Sequence, residues 1–158
     1  MKILIATDGS DFSRKAVEKC CEILGKGSGA EIKIISLVER VKPMAAEPFA
    51  ISEDYFLTIE ADLRKLSKKA VAEAEQIVRE KCAGENIRIE GEVYTGNVKQ
   101  IIVDEAKQFK ADLIVVGSHG YGFFDRMLLG SVSDFVVHHA PCSVLVVRPD
   151  EEKEQENG

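Results

Sequence analysis

The sequence predicts an α/β protein in which a parallel sheet of five strands is covered by helices on both faces. Short, continuous apolar runs recur along the 158 residues, which is typical of strands that are buried on both sides. Segments with an apolar residue at every third or fourth position separate these runs and indicate amphipathic helices. Because the two patterns alternate along the chain, they favour a parallel sheet with helical crossovers.

The first predicted elements are strand, helix and strand. Residues 3–6 form an apolar run that stops at Asp8-Gly9. A helix over about 13–24 follows, with its apolar residues on one face and glycines after its end. Residues 32–38 form the second strand. The segment 39–51 carries two prolines and no periodicity, so we expect an exposed loop there.

One long helix, residues 52–82, is predicted next. Its apolar residues step by three or four positions and predict one buried stripe. These residues are Phe56, Ile59, Leu63, Leu66, Ala70, Ala74, Ile77 and Val78. Residues 87–93 then alternate between apolar and charged side chains, which favours an edge strand with one face in water.

The remaining elements complete the sheet. Asn97 can cap a helix that buries apolar residues up to Phe109. Residues 113–116 form a buried strand. A short helix that ends near His139 follows, and residues 143–147 form the last strand.

Composition and charge narrow the classes of function. The chain is 45% hydrophobic and 30% charged, as is usual for one soluble domain. A net charge of −6 gives no electrostatic reason to expect a nucleic acid partner. No apolar run approaches the roughly 18 residues of a membrane span, and residues 1–10 lack the apolar core of a leader, so we expect a cytoplasmic protein. Residues 150–158 are acidic and polar, and we expect a disordered tail after a folded domain over 1–149.

The four cysteines show no metal-binding or disulfide pattern. They are Cys20, Cys21, Cys82 and Cys142, with no CxxC spacing. Cys20 and Cys21 are adjacent on a predicted helix and face different directions. We therefore interpret all four as reduced thiols that pack in the interior.

Two strands end in segments that differ from ordinary loops. The first strand runs into 6–10, ATDGS, and the fourth into 117–122, GSHGYG, with GSVS at 130–133. Gly117 and Gly120 lack a Cβ atom where a ligand could approach the backbone. Gly130 and Ser131 open a helix whose N–H groups favour an anion. These residues fit a phosphate site, but glycines also end strands for conformational reasons alone, and both interpretations stay open at this point.

Several known sites are excluded by the absence of their motifs. The chain has no GxxxxGK[ST] loop, no GxGxxG after the first strand, no GxSxG and no HExxH. His138 and His139 are adjacent, so on a helix they point about 100° apart and do not form a metal site. We interpret them as a polar helix end.

Three segments together resemble the universal stress protein family. They are Gly117-x-x-Gly120 followed after nine residues by Gly130-Ser131, the segment 7–10 (TDGS), and 140–147 (APCSVLVV). The resemblance covers about residues 1–149. It implies a Rossmann-like adenine nucleotide-binding fold with strand order 3-2-1-4-5, and a homodimer that pairs through the last strand. The complete glycine motif is that of the subclass that binds ATP.

The resemblance also implies a set of site residues. Ala6 would border the sugar, Asp8 would help to place the ribose, a phosphate or a divalent ion such as Mg²⁺, and Leu37 would offer backbone groups to adenine. The remaining implied contacts to ribose and phosphates are Gly117, Gly120, Gly130, Ser131, Val132 and Ser133.

Three functions remain open on the sequence. The first is an ATP-binding stress or signalling module that responds to ATP, ADP or AMP. The second is a slow Mg²⁺-dependent ATPase, for which Asp8 and His119 are the only candidate catalytic groups and no Walker lysine is present. The third is a structural dimer that does not use nucleotide.

Overall fold

The computed structural model describes residues 1–25, 29–40, 53–82, 87–120 and 129–148, with the side chains of 53 and 54 excepted. Within them the chain alternates strictly between strand and helix. The elements are β1 (Lys2–Ala6), α1 (Asp11–Leu24), β2 (Glu31–Glu39), α2 (Glu53–Lys81), β3 (Arg88–Gly96), α3 (Val98–Phe109), β4 (Leu113–Gly117), α4 (Ser131–His139) and β5 (Ser143–Val147). Of the predicted loop at 39–51, Glu39 belongs to β2, whereas residues 41–51 lie outside the described residues, as does the predicted tail at 150–158.

All strand pairs are parallel, and the strand order is β3-β2-β1-β4-β5. The predicted fold class and strand order are therefore confirmed. β1 is the central strand, where Ile3 pairs with Ile32 of β2 on one side and with Leu113 of β4 on the other. β3 lies at one edge, as its alternating sequence predicts, and β5 lies at the other.

The sheet has a hydrophobic core on each face. Ile3 and Ile5 of β1 lie in the core shared with α1 and α2. Leu4 points to the opposite face and lies in the core shared with α3 and α4. All three side chains are fully buried. This alternation of a strand's side chains between two covered faces explains why the apolar runs in the sequence are continuous.

Polar caps set the starts of two helices, and α1 begins at Asp11, two residues before its predicted start. The side chain of Ser10 accepts a hydrogen bond from the Ser13 N–H at 3.3 Å and caps α1. Asn97 caps α3 by accepting from the Gln100 N–H at 3.2 Å. Such caps satisfy N–H groups that the helix itself leaves without a partner.

The predicted buried stripe of α2 is only half correct. Its C-terminal part packs on the sheet and on α1, and Ala70, Ala74 and Val78 are buried there. In the N-terminal part, Leu63 and Leu66 are 37% and 63% exposed. At 29 residues α2 is much longer than the strands that it covers, and its N-terminal turns leave Leu63 and Leu66 in contact with solvent.

The expectation of four reduced cysteines is wrong for two of them. Cys21 and Cys82 form a disulfide with a Cα–Cα distance of 5.0 Å, while Cys20 and Cys142 are free. Cys20 and Cys21 are neighbours in the sequence, but they do not pair with each other. The fold brings the end of α2 beside the last turn of α1, so the partner of Cys21 comes from 61 residues away.

Candidate functional site

The winding of the sheet reverses between β1 and β4. The helix that follows β1 packs on the face with α2, whereas α3, which leads into β4, packs on the other face. The two strands are neighbours, and the segments that leave their carboxyl ends turn to opposite faces of the sheet. This leaves a crevice between those segments. Such a crevice is where open α/β sheets bind ligands.

A pocket of about 450 Å³ lies in this crevice, and we call it the switch-point pocket. All nine residues that the sequence analysis named for a site line it, among others. These nine are Ala6, Asp8, Leu37, Gly117, Gly120, Gly130, Ser131, Val132 and Ser133. The fold thus brings together segments that lie more than 100 residues apart in the sequence.

Asp8 uses one carboxylate oxygen to hold the turn after β1. Its Oδ1 accepts hydrogen bonds from the Ser10 N–H at 2.9 Å and from the Ser10 hydroxyl at 2.5 Å. Ser10 in turn caps α1. The other oxygen, Oδ2, lies on the side of Gly120, where a Cβ atom would stand 2.8 Å from it. Asp8 is therefore oriented by its own loop and presents Oδ2 toward the glycine segment after β4.

The structure requires glycine at positions 117 and 120 for different reasons. A Cβ atom at Gly117 would stand 2.8 Å from the backbone carbon of Phe12 and 3.0 Å from the Ser13 nitrogen. Gly117 therefore allows the first turn of α1 to pack against the end of β4. Gly120 makes room for the Asp8 carboxylate. The sequence interpretation, that both glycines open space for a ligand, missed these contacts within the protein.

The N-terminal turn of α4 forms one wall of the switch-point pocket. Gly130 occupies the cap position without a side-chain cap, and its N–H donates to the Ser118 carbonyl at 2.8 Å. The first N–H groups of a helix have no partner within the helix, and its dipole favours negative charge there. This wall is therefore suited to an anionic group.

The two serines of this turn differ in their availability. Ser133 is buried, and its Oγ lies 2.9 Å from the carbonyl oxygens of both Ser118 and Gly130. Its hydroxyl proton is thus donated within the protein. Ser131 is exposed. Of the two hydroxyls, that of Ser131 is the better placed to donate to a ligand.

Two further wall residues were assigned by sequence to the core, and one belongs to the TDGS segment. Val98 and Ile102 of α3 line the pocket, although their spacing indicates only a core-facing helix stripe. Thr7 also lines it, with its hydroxyl donating to Ser13 Oγ at 3.0 Å. Periodicity shows that a residue faces the sheet, but it does not show where the sheet ends. It therefore cannot distinguish a residue that lines the pocket from one that packs in the core.

The charged groups of the pocket are mainly carboxylates. Asp8 and Asp134 line it, together with His119, and no lysine or arginine does so among the described residues. The His119 Nδ1 lies 3.1 Å from Ser118 Oγ, and its ring is 5.5 Å from that of Phe12. The described side chains thus place two carboxylates in the same pocket as the first turn of α4.

The family model described as "Universal stress protein family" matches residues 1–148. The chain belongs to the universal stress protein family. A universal stress protein of Methanocaldococcus jannaschii is 35% identical over 147 residues, which are 93% of this chain and 81% of the relative.

Solved structures of the family agree with the fold of this universal stress protein. The structure of the protein UspA from Lactobacillus plantarum has a TM-score of 0.76 at 26% identity and covers 94% of this chain and 97% of its own. A family member from Arabidopsis thaliana, solved with AMP bound, has a TM-score of 0.66 at 19% identity and covers 99% and 97% of the two chains. At that identity the second likeness concerns the fold alone.

A second pocket of this universal stress protein, of about 680 Å³, lies on the other side of Asp8, and we call it the α2 pocket. It shares Asp8 and Leu37 with the switch-point pocket. Its other walls come from Gly9, from Arg14 of α1, from the end of β2, and from α2, including Leu63, Ser67 and Glu73. No residue of the glycine motif lines it, so the two pockets can be distinguished by mutation.

Metal ligation by histidine or cysteine has no support in the described part of this universal stress protein. No group of three or more His, Cys, Asp or Glu residues converges there. The Nδ1 atoms of His138 and His139 each lie 2.8 Å from a backbone carbonyl one turn earlier in α4, those of Asp134 and Phe135. This agrees with the prediction of a polar helix end. Within the described residues, no helix is both long and apolar enough to span a membrane.

Proposed function

We propose that this universal stress protein binds ATP in the switch-point pocket and acts as a nucleotide-responsive module. One observation carries the proposal: a single pocket is lined by TDGS residue Asp8, by Gly117 and Gly120, and by the turn that begins at Gly130. These are the segments in which the sequence resembles family members that bind ATP. The AMP-bound relative from Arabidopsis thaliana supports an adenine nucleotide as the ligand class.

The walls of the pocket match the parts of the nucleotide. The phosphates would lie at the first turn of α4, where N–H groups and the Ser131 hydroxyl are available. The ribose would lie between Ala6 and Asp8 on one side and the glycines after β4 on the other. Adenine would reach the end of β2, with hydrogen bonds to the backbone at Leu37 and with Val98 and Ile102 beside it.

We further propose that the triphosphate enters with Mg²⁺. Asp8 and Asp134 both line the pocket, and neither a lysine nor an arginine of the described residues offsets them. Two carboxylates beside a triphosphate would repel it at close range. A hydrated Mg²⁺ bound to the phosphates removes this repulsion, and one or two carboxylates are its usual protein partners. The oxygen on the Gly120 side of Asp8, Oδ2, is the group that would hold it.

Slow hydrolysis of ATP is the second candidate function. The observation in its favour is that Asp8 and His119 both belong to the wall of the pocket. Asp8 Oδ1, however, is already committed to Ser10. We therefore expect binding to be the main activity, and release of inorganic phosphate with Mg²⁺ present measures any turnover.

Calorimetric titration with ATP, ADP and adenosine tests the proposed function. We expect micromolar binding of ATP, weaker binding of ADP, and little binding of adenosine, because the α4 turn contributes through the phosphates. Equal affinities for ATP and adenosine would show that this turn does not hold the phosphates. No binding of any of the three would contradict the function.

A matched pair of variants locates the ATP site in the same experiment. Ser131→Ala removes a hydroxyl from the switch-point pocket, and Ser67→Ala removes one from the α2 pocket. A hydrogen bond to a charged group contributes about 1.5 kcal/mol or more, so we expect roughly tenfold weaker ATP binding in Ser131→Ala. Ser67→Ala should bind as the wild type does. The reverse result would place the nucleotide in the α2 pocket.

We also propose that the protein is a homodimer that pairs through β5. Among the described strands β5 has a partner only on its β4 side, and its central residues are half-buried and apolar. An open apolar edge is a surface that a second copy can cover through a two-fold axis.

A further inference from the structure

The disulfide joins the two helices that share one face of the sheet. Cys21 lies in the last turn of α1, and Cys82 directly follows the last residue of α2. Both helices run back from the carboxyl ends of the strands, so the bond lies near the amino ends of the strands. The switch-point pocket lies at their carboxyl ends. The bond is therefore not part of the proposed nucleotide site.

The bond fastens the part of α2 that carries its packing. Ala74 and Val78 are buried against the sheet and α1, and Cys82 is fully buried in the same core. One ion pair crosses near the bond, between Lys81 Nζ and Glu18 Oε1 at 2.9 Å. Toward its N-terminus α2 exposes Leu57, Leu63 and Leu66. The attachment of α2 therefore depends on its C-terminal turns.

We propose that Cys21 and Cys82 are a reversible redox pair whose disulfide staples α2 to α1. On oxidation the two thiols lose two electrons and two protons and form the S–S bond. A low-molecular-weight disulfide, such as oxidised glutathione, takes them up and becomes two thiols. A dithiol reductant reverses the reaction and leaves α2 held by packing and by ion pairs such as Lys81–Glu18. The proposal concerns the stability of the α1–α2 layer and does not depend on nucleotide binding.

The other two cysteines do not compete for this pairing. Cys20 is next to Cys21 in the sequence but buried and free, and burial raises the pKa of its thiol to about 11. Burial also raises the pKa of Cys142, which packs against the core on the other face of the sheet. Because the thiolate is the attacking species, both stay poor nucleophiles toward the disulfide.

Access to the bond requires local opening. Cys21 and Cys82 are 3% and 0% exposed, so a reductant cannot reach the sulfur atoms in the closed structure. Cys82 follows the end of a helix, and helix ends open at a lower free energy than core strands. We therefore expect slow reduction in the native state, with a rate that rises in mild denaturant.

Thiol mapping by mass spectrometry tests the pairing. The full-length protein is incubated with oxidised glutathione, unfolded in guanidinium with iodoacetamide, and digested without reduction. We expect alkylation of Cys20 and Cys142 only, and a cross-linked peptide pair that contains Cys21 and Cys82. After reduction with a dithiol, all four cysteines should be alkylated. Four alkylated cysteines after oxidation, or a different cross-linked pair, would overturn the proposal.

Thermal unfolding of the oxidised and reduced wild type tests the staple. The bond closes a loop over a sequence separation of 61 residues, for which we expect a Tm lower by on the order of 10 °C after reduction. Hydrogen exchange should show the loss of protection concentrated in residues 70–82. An unchanged Tm in the two states would overturn the staple. This comparison uses the wild type and does not depend on any variant.

Cysteine variants supply matched controls. Cys21→Ala and Cys82→Ala should each remove the dependence of Tm on reductant. Cys142→Ala should retain it, because that thiol lies on the other face of the sheet. If the dependence persists in Cys82→Ala, the effect of the reductant has another cause and the proposal fails.

Discussion

Asp8 and Gly120 meet across the carboxyl edge of the sheet, where a Cβ atom on Gly120 would stand 2.8 Å from Asp8 Oδ2. One residue follows β1 and the other follows β4, which are neighbouring strands of the sheet. The glycine leaves room for the carboxylate, while the other oxygen of Asp8 is held by Ser10. The result is a carboxylate with one structural oxygen and one oxygen facing the proposed site.

This geometry allows a test of Asp8 that preserves the loop. Asp8→Asn keeps a side-chain oxygen for Ser10 but removes the charge. If Asp8 holds Mg²⁺, ATP binding should weaken about tenfold in the presence of Mg²⁺ and little, or not at all, in EDTA. Calorimetry under both conditions measures the difference. An equal loss in both would mean that Asp8 acts on the sugar or on the loop itself.

Gly130→Val should abolish ATP binding. A Cβ atom at this position would stand 3.1 Å from the Ser118 carbonyl oxygen and 3.2 Å from the His119 Cα. A branched side chain would therefore displace the turn that starts α4 and fill the space of the phosphates. Calorimetry measures the affinity, and circular dichroism with a thermal melt shows that the variant is folded. A folded variant with wild-type affinity would count against the phosphate site.

Val146→Lys should weaken the dimer. Val146 is a half-buried residue of the edge strand β5, and near a two-fold axis two lysines would meet without a counter-charge. Val137→Lys, at a valine of α4 that is 45% exposed, is the control for adding the same charge. Sedimentation equilibrium gives both dimer affinities. A monomeric wild type at tens of micromolar would contradict the β5 interface, and an unaffected Val146→Lys dimer would place the interface elsewhere.

A charged cluster that joins β2, β3 and α3 should respond to acid. Lys33 Nζ lies 2.8 Å from Glu92 Oε2 and 2.9 Å from Glu105 Oε2, and Tyr94 also bonds Glu92. Hydrogen bonds from Lys33 and then Tyr94 lower the pKa of Glu92 below its ordinary value of 4.5. The folded state therefore binds fewer protons than the unfolded state. The resulting stability is fully present above the unfolded pKa of Glu92. It is lost as the pH falls through the lower pKa of the folded state.

Glu92→Gln should flatten the pH dependence of unfolding in this window. The Glu92 side chain is 40% exposed, so we expect an effect of no more than about 1 kcal/mol at neutral pH. Glu90→Gln, at an exposed position of the same strand, is the control. Urea unfolding at a series of pH values, from neutral pH to below the folded pKa of Glu92, gives the free energies of unfolding. Parallel pH curves for wild type and Glu92→Gln would contradict the assignment.

The sequence predicts the sheet well because its strands are buried on both faces. Ile3, Leu4 and Ile5 all enter a core, so the apolar run is continuous and easy to identify. The burial of α2 was predicted less well. Periodicity shows which face of a helix is apolar, but it does not show whether another element covers that face along its whole length, and Leu66 is 63% exposed.

Motifs predicted which residues form the candidate site. They did not predict the contacts that these residues make with the rest of the protein. Glycine spacing and the family resemblance name nine of the residues that line the switch-point pocket. Neither indicates that Gly117 packs on the backbone of α1, or that Ser133 donates its proton to main-chain carbonyls. The Cys21–Cys82 bond was missed for a similar reason. Such contacts depend on the meeting of elements far apart in the sequence, which local patterns do not encode.

Titration of the ¹⁵N-labelled protein with Mg²⁺-ATP, followed by amide chemical shifts, tests the central claim most directly. Asp8 and Leu37 belong to both pockets, so they do not discriminate. The account predicts the largest shifts at Gly117, Gly120 and the turn 130–133, with small shifts along residues 63–73 of α2. Large shifts confined to 63–73, or none at millimolar ATP, would contradict it.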